Sequence, residues 1–196
     1  MKLIFVLAFA GMAASMTNSR ADLIPSFEGT TGNADETTTW TYTLNITAEQ
    51  NAQSGDFFTI YDFGAFIPAS DSQPSGWTLS SSLLGATPAD VLPQDDPSLL
   101  NLTWTYNGPI IPGASPGGQN IGPFQVGTAG LLPSPTAFRN SNFTAQGTLA
   151  ISGQAGTKIG NVGVIPVPIP EPSTYALIAA GLFGLLVRGV LRRRKA

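Results

Sequence analysis

The sequence predicts an all-β protein: an antiparallel β-sandwich body with an N-terminal signal helix before it and a C-terminal transmembrane helix after it. Three observations point there. Apolar and polar residues alternate repeatedly with a period of two. Clusters of Gly, Pro, Asn and Asp separate these short runs. Long helical periodicity is confined to the two ends of the chain.

The elements follow in order. Lys2 precedes an apolar stretch from Leu3 to Ala10, and Ser19-Arg20-Ala21 places small residues where a signal peptidase inspects the chain. Residues 1–21 therefore read as a signal peptide cut after Ala21, with a cut after Ser15 as the second choice. The segment 22–163 reads as the β-sandwich body. In Thr39 to Thr47 the residues Trp40, Tyr42, Leu44 and Ile46 share one face, as in a half-buried strand of β-favouring residues. Phe57 to Phe63 is apolar on both faces, which suits a central strand. Leu99 to Tyr106 alternates again, with Asn101 and Thr103 expected on a polar, outward face. Phe143 to Ile151 follows the same pattern through Phe143, Ala145, Leu149 and Ile151. Trp77–Leu83 and Ile121–Gly127 are weaker strands. From Asn107 to Pro135, 13 of 29 residues are Gly or Pro, so the second of these is expected to interrupt an otherwise long irregular stretch.

Pro166, Pro168, Pro170 and Pro172 alternate, and residues 164–172 read as an extended spacer. Then come 19 largely apolar residues, Ser173 to Leu191, about 28 Å as a helix and enough to span a bilayer core. The tail 192–196 carries Arg192, Arg193, Arg194 and Lys195, a cluster that stays on the cytoplasmic side.

Charge and missing residues narrow the function. Residues 22–170 hold 11 acids against two bases, Arg139 and Lys158, a net charge of −9. With two cations against 11 acids, such a body is repelled by nucleic acid and has too few cations to displace its counterions, so no nucleic-acid partner is expected. The chain has no Cys and no His. Disulfides, histidine-assisted nucleophiles and the usual zinc, copper and haem sites all lose their residues. No cofactor, metal site or catalytic residue is expected, and the protein is read as not an enzyme.

The remaining candidates are weak. Asn45, Asn101 and Asn142 stand in Asn-X-Thr sequons, which strands rich in Asn and Thr generate by chance. Asp90, Asp95 and Asp96 lack the spacing of a calcium loop and read as turn caps. Asp56 and Asp62 resemble ordinary strand-end acids. A glycosidase needs two opposed carboxylates, and nothing marks such a pair. Trp40, Trp77 and Trp104 are either core residues or a platform for sugar rings.

The order Pro170-Glu171-Pro172, apolar span, basic cluster resembles the PEP-CTERM sorting domain of bacteria, over Val167 to Ala196. The resemblance implies processing near Pro170, Glu171 and Pro172 by an exosortase, a membrane-embedded cysteine transpeptidase, after signal peptidase has acted. It further implies a membrane-anchored precursor and delivery to the envelope or an extracellular polysaccharide matrix. A permanent single-pass anchor is the alternative. The body from Trp40 to Phe124 is similar to a β-rich module found in such proteins, through Gly55 to Phe63 and Asn101 to Pro109. That similarity implies a fold and no activity. The expected function is structural or adhesive, with a carbohydrate-binding module or an extracellular hydrolase as alternatives.

Overall fold

A computed structural model describes residues 22–89, 91–114, 116–130 and 138–169. Among them the chain is all-β, with ten strands in two antiparallel sheets and no helix. The expected signal helix 1–21 with Ala21, the motif Pro170-Glu171-Pro172, the span 173–191 and Arg192 to Lys195 lie outside the described residues.

The smaller sheet contains β1 (Leu23–Gly32), β2 (Thr37–Ile46) and β8 (Gln119–Ala129), in the order β1-β2-β8. The larger contains β3 (Gln50–Ala52), β4 (Phe57–Phe63), β5 (Trp77–Ser82), β6 (Leu100–Tyr106), β7 (Ile111–Pro112), β9 (Phe138–Leu149) and β10 (Lys158–Pro168). Its order runs β5-β6-β4-β9-β3-β7, and β10 pairs with β9. Gln146 pairs with Phe57 of β4 and Gly160 of β10, while Thr148 pairs with Asn51 of β3 and Lys158 of β10. A strand has two sides, so β3 and β4 line one side of β9 and β10 runs along the other.

The two sheets share one core. Trp40, Tyr42, Leu44 and Ile46 of β2 and Phe124 and Val126 of β8 meet Phe58, Ile60, Leu102, Trp104, Ile165 and Val167 of the larger sheet. Phe58 stacks on Trp104 with centroids 4.9 Å apart, and Phe124 meets Phe58 edge-on at 5.0 Å and Trp77 at 5.3 Å. These contacts across the layers make the pair a sandwich. Each such side chain contributes roughly 1.5–3 kcal/mol by leaving water.

The structure departs from expectation at three places. The outer face of β6 is not solvated, because residues 83–89 and 91–99 lie over it, with Leu83 and Asp95 bonded to Asn101. Asn101 and Thr103 are buried there with Thr59 and Thr144. The carbonyl of Ala86 accepts from Thr59 Oγ1 at 2.7 Å, Tyr61 OH at 3.1 Å and Thr144 Oγ1 at 3.2 Å. Polar residues thus line a covered face by bonding to the chain that covers it. A Cβ on Gly85 would stand 2.6 Å from Thr59 Cγ2, so this close approach requires glycine.

The second departure concerns β9, which begins earlier than expected, at Phe138, and ends at Leu149. Ile151 is exposed, in a turn where Gly153 and Gly156 take φ of 84° and 90°. The third is the spacer. Residues 164–168 form the second half of β10, where Ile165 and Val167 enter the core between the prolines. Proline fits because β10 is an edge strand. Pro166 and Pro168 have no N–H to give, so their pairs with Asn140 and Phe138 are the non-hydrogen-bonded ones.

Candidate functional site

The end of β10 is where the body hands over to the tail, and it is held to its last residue. Its register against β9 runs unbroken from Lys158↔Thr148 to Pro168↔Phe138. Tyr42 OH donates to the Pro166 carbonyl at 2.9 Å, tying β2 of the smaller sheet to the outward side of β10. Burial pushes the Tyr42 hydroxyl well above the ordinary tyrosine range. Phe138 reaches Phe27 of β1 with ring centroids 5.9 Å apart. Past Pro168 one described residue remains, Ile169, and Pro170 follows.

The start of β10 carries an ion pair. Lys158 Nζ lies 2.5 Å from Asp56 Oδ1 and 2.8 Å from Thr148 Oγ1. Asp56 is fully buried, and its other oxygen accepts from Thr148 Oγ1 and from Gln53 N–H, each at 2.8 Å. Asp62 forms a second buried knot. It occupies a register shift between β4 and β6 with φ of 56°, a left-handed position that Asp tolerates. Its Oδ1 accepts from Asp96 N–H at 2.7 Å and its Oδ2 from Ser141 Oγ at 2.8 Å. Arg139 donates to the Asp62 carbonyl at 2.9 Å, with its other terminal nitrogen 3.7 Å from the carboxylate. The sequence treated Asp56 and Asp62 as unremarkable. The available signal was the scarcity of bases: two cations in a body of 11 acids are prime partners for any acid that becomes buried.

The other sequence candidates fall into place singly. Trp40 and Trp104 are 0% exposed and Trp77 is 4% exposed, so all three are core and none offers a face to a sugar ring. Asp96 caps its own turn, accepting from Ser98 Oγ at 2.6 Å and Ser98 N–H at 2.9 Å. These bonds hold its carboxyl below the usual range. Asp95 accepts from Asn101, and Asp90 lies outside the described residues. Among the described residues no three acids converge as metal ligands. Asn101 is fully buried, with its amide donating to Leu83 O and Asp95, so this sequon cannot accept a glycan in the folded protein. Asn45 bonds Asn120, and Asn142 bonds Gln94 N–H and Gly163 O.

A groove of about 400 Å³ opens between β1, β10 and Val91-Leu92. Its polar lining comes from Asp22 and Asn161, and Asn161 already donates to Leu23 O. Beside it a hollow of about 300 Å³ is lined by Pro88, Gln146 and Lys158. Neither brings two opposed carboxylates together.

Comparison with known proteins adds one match. Residues 168–195 match the PEP-CTERM protein-sorting motif. The match starts on Pro168, the last residue of β10. No curated protein matches the chain.

Proposed function

We propose, from the PEP-CTERM motif at residues 168–195, that this chain is an exported envelope or matrix protein with a structural or adhesive role and no catalytic one. The motif implies a membrane-anchored precursor processed by an exosortase-type enzyme. On this reading Pro170, Glu171 and Pro172 are the residues that enzyme reads, and signal peptidase acts first, after Ala21. Arg192, Arg193, Arg194 and Lys195 then hold the tail in the membrane by resisting translocation.

The observation that carries the proposal is the junction itself. The last strand of the sandwich ends on Pro168, where the sorting match begins, so on this reading what is delivered is the whole sandwich. A non-catalytic role is supported by the state of the buried acids. Asp56 and Asp62 are each committed to a cation and to hydroxyl or amide donors. The many Thr, Ser, Asn and Gln residues supply hydroxyl and amide groups that suit a hydrated polysaccharide partner, and the net negative charge favours an uncharged one. With every tryptophan in the core, the carbohydrate-binding alternative has no stacking platform among those residues.

The test is fractionation of a precursor tagged at both ends, in a strain with the sorting enzyme. Wild type should lose the C-terminal tag and leave the membrane. Glu171→Ala should accumulate there uncleaved. Retention of the C-terminal tag by both would leave a plain anchor and overturn the sorting reading.

A further inference from the structure

The spacing between fold and motif has a mechanical consequence. A transpeptidase that cleaves near Pro170 must hold its substrate as extended backbone, with residues on both sides of the bond lying in its cleft. One residue of extended chain covers about 3.3–3.6 Å. A cleft that takes two residues upstream of Pro170 therefore already needs Pro168, and one that takes three needs Val167. Val167 is 0% exposed and paired with Arg139, Ile165 is 1% exposed, and Pro166 is held by Tyr42. Ile169 is the single residue between the end of β10 and Pro170.

We infer that the folded body restrains its own sorting: the enzyme gains the residues upstream of Pro170 when the C-terminal end of β10 peels from β9. The inference rests on the sorting reading above. Strand ends open locally at less cost than global unfolding, so the peeled form is a minor population of the folded protein. The processing rate then scales with that population. The restraint is built from side chains. Ile165 and Val167 anchor the strand inward, Tyr42 grips it from the other sheet, and Phe138 against Phe27 closes the end.

Two full-length variants test this by pulse-chase in cells that have the enzyme, following loss of a C-terminal tag. A Gly-Ser-Gly-Ser insertion between Ile169 and Pro170 leaves the body untouched and supplies free upstream backbone. It should be processed several-fold faster than wild type. Val167→Ala keeps the length and loosens the strand end, and should also be processed faster. An insertion variant cleaved at the wild-type rate or more slowly overturns the inference, while a block by Glu171→Ala would leave the sorting reading standing. A faster insertion variant beside an unchanged Val167→Ala indicates reach to the bilayer instead of peeling, and overturns it as well. If wild type is never processed, both readings fall together.

Discussion

Lys158 Nζ lies 2.5 Å from Asp56 Oδ1, joining the first residue of β10 to the residue before β4 across 102 positions of sequence. Arg139 and Asp62 form the matching pair at the far end of β4. The two bases between residues 22 and 170 are thus both spent on buried acids, and the nine remaining carboxylates account for the net charge of −9. The surface is therefore acidic without relief. That favours solubility and disfavours contact with anionic polymers and membranes.

Removing Lys158 leaves the fully buried Asp56 carboxyl without its cationic partner. Breaking a buried pair costs about 3–5 kcal/mol, and the Lys158 side chain is 41% exposed, so water offsets part of this. We expect Lys158→Met to lose about 2–3 kcal/mol. The double variant with Asp56→Asn should lose less than the two single losses added. Urea unfolding of all four proteins measures the coupling, and a coupling near zero would mean that the pair is not held in solution.

Tyr42 sets an alkaline limit. Its folded pKa is raised by burial, so the folded state keeps the proton more tightly than the unfolded chain. Stability from this source is complete below the unfolded tyrosine pKa of about 10 and falls as pH rises beyond it, by at most about 1.4 kcal/mol per unit. Tyr42→Phe should lose the hydrogen bond to Pro166 at neutral pH and remove this component of the alkaline decline. Denaturant titrations between pH 8 and 11 compare the two slopes, and parallel slopes would contradict the assignment.

Much of the fold was legible because its central strands obey simple alternation. Trp40, Tyr42, Leu44 and Ile46 announce the inner face of β2, and the two-sided apolar run of Phe57 to Phe63 announces a strand with neighbours on both sides. β1 is not among the strands expected from the sequence: Pro25 and Gly29 interrupt its pattern, although an edge strand with a bulge accommodates both. β10 was missed for a related reason. Val164, Ile165 and Val167 carry a strand pattern, but the prolines between them speak for a linker, and no local rule says that an outward-facing edge will hide their missing donors. The burial of Asn101 and Thr103 depends on residues such as Leu83, Ala86 and Asp95 folding back over the sheet, a contact of tertiary origin that no alternation encodes. The sorting motif was plain for the opposite reason. Pro170, Glu171, Pro172, the apolar span and the basic cluster form a linear signal that needs no fold to be read.

At the acid end, Asp96 is the residue to follow. Ser98 holds the Asp96 carboxyl below its usual range through a hydroxyl bond first and a backbone bond second. A depressed folded pKa gives stability that is present above the unfolded value of about 3.9 and is lost as pH falls through the folded one. Ser98→Ala removes the larger of the two bonds. The variant should be less stable than wild type at pH 7 and converge with it near pH 2. A stability difference that persists at pH 2 would assign the effect to packing and not to the carboxylate.

The tryptophans separate a sandwich that scaffolds from one that binds sugars by stacking. Trp40 and Trp104 are enclosed by Phe27, Phe58, Phe63 and Phe124, and Trp77 packs on Phe58 and Tyr106. Their emission should be that of shielded indoles, resistant to iodide quenching, and should not move when matrix oligosaccharides are added. Trp104→Ala should cost about 3–5 kcal/mol, the range for emptying a large aromatic site in a packed core. A polysaccharide partner, if one binds, must then be held by the hydroxyls and amides of the outer faces, and its binding should survive any tryptophan substitution that leaves the body folded. A saturable fluorescence change on adding sugar, abolished by Trp77→Phe in a protein that still folds, would reverse this argument and restore the binding-module reading.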